Sequence, residues 1–92
     1  MIDFEPINRL NSSIDKFIKD QYGVNEFHSS IESIIYSINE SSLSVLREKL
    51  MKFESELEFI DFMVDEIRRS DSYKVKIEDL LNWMKESGFS SK

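Results

Sequence analysis

The chain reads as an all-α protein, an antiparallel four-helix bundle with a long third helix. Apolar residues recur at helical spacing along nearly its whole length. Only two glycines and one proline are available to turn a multi-stranded sheet. Hydrophobic content of 40% beside 33% charged residues suits a folded chain rather than a disordered one. At 92 residues it makes a single domain, 1–92, whose core is small.

Ile7, Leu10, Ile14 and Phe17, with Ile18, follow 3-4-3 spacing and predict a first helix from about Phe4 to Asp20. Asp3 suits its N-cap, and Pro6 falls in the first turn, where a missing N–H costs little. The stop lies in "DQYGV", with Gly23 as the C′ or turn residue. Val24, Phe27, Ile31, Ile34, Ile35 and Ile38 mark a second helix, about Asn25 to Asn39. "NESS" ends it, and Ser41 or Ser42 caps the next.

In the third segment Leu43, Leu46, Leu50, Phe53, Leu57, Ile60, Val64 and Ile67 alternate by three and four, a sustained heptad. One long helix from about Ser42 to Arg69 is expected, the main alternative being a break near Phe53–Leu57. "SDSYKV" is the last connection, with Ser70 or Ser72 as cap. Ile77, Leu80, Leu81 and Met84 mark a fourth helix to about Ser87, closed by Gly88. "YKVKI" alternates like a strand, but an isolated strand has no partner; "SGFSSK" should fray. Ile14, Ile31, Ile34, Leu46, Leu50, Leu57, Ile60 and Leu80 are expected in the core.

Composition excludes several functions. Without cysteine there is no disulfide, no thiolate zinc site and no thiol nucleophile. No apolar run approaches the ~20 residues of a membrane span. The start "MIDFEPINRL" has acids where an export signal has bases, so cytoplasmic residence is expected. The net charge is −6, from 18 acids and 12 bases. Phe53–Ile67 alone carries Glu54, Glu56, Glu58, Asp61, Asp65 and Glu66 and no base, which leaves 12 acids against 12 bases elsewhere. All of the excess is local, and a concentrated charge steers partners of opposite sign. Nucleic acid is disfavoured, because phosphate binding needs a basic patch.

Glu54, Glu58, Asp61 and Asp65 fall at i, i+4, i+7 and i+11 and form one helical stripe. Such a stripe is either a solvated face or a protein-binding surface. The chain has no Glu-x-x-His pair, EF-hand loop, phosphate loop or H-E-x-x-H motif, so no metal, cofactor or catalytic residue is expected. Unrelieved like charges at i, i+4 cost a few tenths of a kcal/mol per pair, a cost better understood if something basic binds there. Phe59, Phe62 and Met63 lie off the heptad seam. They either widen the core stripe or stand exposed as the apolar centre of an interface, Phe62 first. His28, the only histidine, is expected on the exposed side of the second helix. Trp83 and Tyr36 suit bundle packing, whereas Tyr22 and Tyr73 fall in expected loops. The partner-binding set is therefore Glu54, Glu58, Asp61, Phe62, Asp65 and Glu66.

A short acidic helical chain with "IDKFIKDQYGVNEFHSSIESIIY" ahead of a carboxylate-rich helix resembles bacterial immunity proteins, the colicin D-type family in particular. The pattern apolar-x-x-Phe-[LI]-x-x-x-x-apolar-x-x-x-Phe is matched by Ile14, Phe17, Ile18, Val24 and Phe27 with approximate gaps. The likeness covers the first ~40 residues in pattern and the remainder in composition. It implies a small helical bundle that inhibits a cognate basic toxin domain, such as a nuclease, by covering its active cleft. No family site residue transfers one for one. The alternative function is a structural or regulatory module that self-associates as a homodimer through the heptads of the third helix.

Overall fold

Apolar spacing decides which side of each segment turns inward, and the computed structural model, which describes residues 5–89, shows the outcome. It contains four α-helices: α1 (Glu5–Ile18), α2 (Val24–Ser37), α3 (Ser44–Met63) and α4 (Glu66–Ser87). A single 3-10 turn, Ser41–Leu43, leads into α3. Among the described residues there is no strand, so "YKVKI" is helical. α1 packs on α2, α2 on α3, and α3 on α4, while α2 also reaches α4. Short connections between successive helices give the antiparallel all-α bundle. No described helix is long and apolar enough to cross a membrane.

The core takes one aromatic ring from each helix: Phe17, Phe27, Phe53 and Tyr73. Phe27 lies 4.9 Å from Phe17, 6.3 Å from Phe53 and 6.1 Å from Tyr73, centroid to centroid. Tilted and edge-on ring pairs of this kind add about 0.5–1.5 kcal/mol each beyond their burial. Around them Ile14, Ile31, Ile34, Leu46, Leu50, Leu57, Ile60 and Leu80 are all buried, as their spacing predicts. Ser13 is buried between α1 and α2, where its hydroxyl pairs with that of Ser30.

The helix ends differ from expectation in instructive ways. The reversal after α1 is made at Asp20, whose φ of 61° is left-handed, rather than at Gly23. The N–H groups of Gln21 and Tyr22 both return to the Lys16 carbonyl. Gly23 is extended and begins α2, its N–H donating to the Glu26 carboxylate at 3.1 Å. Gly88 does close α4, in the left-handed region at φ 79°. Phe89 does not fray but stacks on Trp83 at 5.5 Å. The expectations for Asp3, Phe4 and the last three residues lie outside the described residues.

The largest correction concerns the third helix. It neither breaks near Phe53–Leu57 nor runs to Arg69; it ends at Met63. Val64 turns extended (φ −108°, ψ 137°), and Asp65 is the N-cap of α4. The Arg69 Nε donates to the exposed Val64 carbonyl at 2.9 Å, satisfying one of the acceptors that a helix end leaves open. The heptad residues from Leu43 to Ile60 are buried, but Ile67 is 93% exposed. "SDSYKV" is therefore helix, and Tyr73 is a core residue instead of a loop contact.

Candidate functional site

Phe27 points into the core, and its neighbour His28 is thereby carried to the flank of α2 that faces α3, not to open solvent. Only 12% of the imidazole is exposed. Its Nδ1 lies 3.0 Å from Asp61 Oδ2 and its Nε2 lies 3.1 Å from Glu54 Oε1. Glu32, one turn further along α2, places Oε1 3.6 Å from Nε2. The Tyr73 hydroxyl, from α4, donates to Asp61 Oδ1 at 2.7 Å. Three helices thus meet around one histidine.

With a carboxylate oxygen on each ring nitrogen, the imidazolium is the form that donates to both. Burial pulls the His28 pKa down, but hydrogen bonds to Glu54 and Asp61, reinforced by their charges, outweigh it, and the net shift is upward from 6.5. Glu58 sits at the solvent edge beside Glu54. Its hydrogen bond with Glu54 and that group's charge push its own pKa up. Burial, then the hydrogen bond to Asp61, raises the Tyr73 pKa, so its hydroxyl stays a donor throughout the physiological range. Neither ring nitrogen is left to activate a serine, and Ser30 is engaged by Ser13.

The residues expected to bind a partner divide. Glu54 and Asp61 are turned toward His28. Glu58 and Phe62, four residues apart on one helical face, are exposed, Phe62 by 87%. Asp65 and Glu66 are exposed at the α3–α4 corner, with Glu66 in the first turn of α4, where a carboxylate complements the helix dipole. Glu56 points to the other flank of α3 and pairs with Lys76 of α4 at 3.2 Å. The wide core stripe is not what forms: Phe59, Phe62 and Met63 are all exposed. With Ile67 they give the corner an apolar surface beside three carboxylates. An open groove of about 500 Å³ continues it between α3 and α4, past Phe59, Val64 and Val75.

His28 and Tyr73 are the site residues that sequence reasoning missed. Tyr73 does carry a signal, since Tyr73, Ile77, Leu80 and Met84 follow one 4-3-4 spacing that extends the fourth helix a turn ahead of Ile77. For His28 the signal was Glu32 at i+4, which sets a second polar pair against Glu54 and Glu58. Comparison of the chain with protein-family models, curated proteins and solved structures gave no match.

Proposed function

We propose that the protein is a binding module that docks a basic partner protein on the α3–α4 corner. In its narrower form the partner is a bacterial toxin domain, neutralised in the cytoplasm by covering its active cleft. The observation that carries this reading is the Phe62 side chain, 87% exposed beside Glu58 and close in sequence to Asp65 and Glu66. An isolated exposed apolar residue is ordinary, but four of them, Phe59, Phe62, Met63 and Ile67, over nine helical and turn positions are not. Carboxylates at the rim speed encounter with a basic surface, while the rings supply burial at the centre. Glu54 and Asp61 add to the field without making the contact.

The test is binding to a basic toxin-type domain encoded beside this chain, measured for wild type, for Glu58→Lys with Glu66→Lys, and for Phe62→Ala. Glu58 and Glu66 are the right pair to reverse because both are exposed and neither touches His28. The charge reversal should slow association and remove most of its salt dependence, and Phe62→Ala should speed dissociation. Wild-type binding by the charge-reversed protein would reduce the acidic face to solvated surface. The self-association reading has less to stand on, because Leu43 to Ile60 of the heptad are already covered by the chain's own helices. A dimer would have to use Phe59, Phe62, Met63 and Ile67 instead, and sedimentation would show it.

A further inference from the structure

We propose that His28, Glu32, Glu54 and Glu58 form a binding site for a divalent transition-metal ion of the zinc class, laid across the α2–α3 interface. His28 and Glu32 are an i, i+4 pair on α2, and Glu54 and Glu58 are an i, i+4 pair on α3. The two pairs lie on packed helices, so residues of both can contribute to one site. One ligand atom each from His28, Glu54 and Glu58 lies within 4.8 Å of the others. Tetrahedral zinc with N and O ligands near 2.0–2.2 Å places ligand atoms roughly 3.3–3.6 Å apart. Small side-chain rotations close that difference, and Glu32 Oε1, 3.6 Å from Nε2, is placed to be the fourth ligand.

Two further observations separate this cluster from an ordinary acidic patch. The first is the support behind the histidine. Asp61 holds Nδ1 at 3.0 Å, and Asp61 is itself held by the hydroxyl of Tyr73, whose side chain is fully buried among the core aromatics. A carboxylate on the far nitrogen of a metal-binding histidine fixes its tautomer and raises its basicity. Here it leaves Nε2 as the metal-facing atom, pointed at Glu54 and Glu32. The second is charge. Among the described residues His28 is the one basic side chain in ion-pair contact with Glu32, Glu54, Glu58 or Asp61. Three carboxylates, Glu32, Glu54 and Asp61, contact one imidazole, and Glu58 stands close by as a fourth. A metal ion that replaces the Nε2 proton, released to solvent, adds one net positive charge where the repulsion is greatest. An imidazole among carboxylates favours zinc over calcium or magnesium, which want six or more oxygens.

This proposal departs from the expectation of no metal, which rests on the lack of any recognised ligand motif. It shares Glu58 with the docking face, but zinc binding is read on the chain alone, so its test needs no partner. Zinc is titrated calorimetrically into the chelator-stripped full chain, while proton NMR follows the ring signals of its only histidine. One saturable site per chain is expected, with the His28 signals displaced in proportion to occupancy. Magnesium should do neither. Asp61→Asn should weaken zinc by about 10–100-fold through the loss of its hold on Nδ1. Glu58→Gln should weaken it at least as much while leaving the fold intact, since Glu58 is exposed and its amide can still hydrogen-bond Glu54. Lack of saturable binding, binding that leaves the His28 signals unmoved, equal binding of magnesium, or full affinity in Glu58→Gln would each overturn the proposal.

Discussion

His28 shows how far one residue's surroundings move its chemistry. In the metal-free protein its pKa is raised, because the bonds and charges of Glu54 and Asp61 outweigh the burial that opposes them. A base whose folded pKa exceeds its unfolded value stabilises the fold while protonated in both sense and degree. That contribution is fully present below the unfolded pKa of about 6.5 and is lost as pH rises through the folded value. With chelator present, the histidine should therefore titrate above 6.5 by NMR. The urea midpoint should fall across that same interval, and His28→Gln should flatten the fall. A midpoint at or below 6.5 would mean that burial wins. None of this was legible in "NEFHSSIES". Phe27 marks the core side, but adjacent helical residues lie about 100° apart. Nothing local says which flank α3 covers.

At the scale of elements, helical period locates each of the four described helices, and helix ends are where it misleads. The heptad passes through Val64 and Ile67 without interruption, yet α3 stops at Met63, because the chain must reverse to bring Tyr73, Ile77, Leu80 and Met84 back onto the core. Burial of that face outweighs the poor helix propensity of Ser70, Asp71 and Ser72, which amounts to less than about 0.7 kcal/mol per residue. Asp65 was the readable signal, an N-cap residue type followed by Glu66 in the first turn. Gly88 is the opposite case, a stop correctly read. Its φ of 79° is left-handed, and a Cβ added there meets nothing within 4 Å. Gly88→Ala should thus cost only the strain of holding an L-residue in the left-handed region, roughly 1–2 kcal/mol by chemical denaturation, with the helix content by circular dichroism almost unchanged. A much larger loss would reveal packing that the open surroundings do not show.

For the molecule as a whole, helical spacing separates a covered seam from an uncovered one but leaves the side of Phe59, Phe62 and Met63 open, and the structure places all three outside. Leu57 and Phe62 lie on the same helix, five residues apart, and test the difference directly. Leu57 is fully buried, so Leu57→Ala should cost about 2–5 kcal/mol. In a domain holding ~5–15 kcal/mol altogether, that is enough to populate unfolded chains at moderate denaturant. Phe62→Ala removes a larger side chain from a site that is 87% exposed, and its stability should stay within about 0.5 kcal/mol of wild type. A folded protein does not need that ring for its own core. If Phe62→Ala instead destabilised the monomer as Leu57→Ala does, the ring would be packed in solution and the corner would offer no apolar centre. If the two mutants part as expected, Phe62 contributes nothing to folding and its ring stays available as the apolar centre of the proposed docking face.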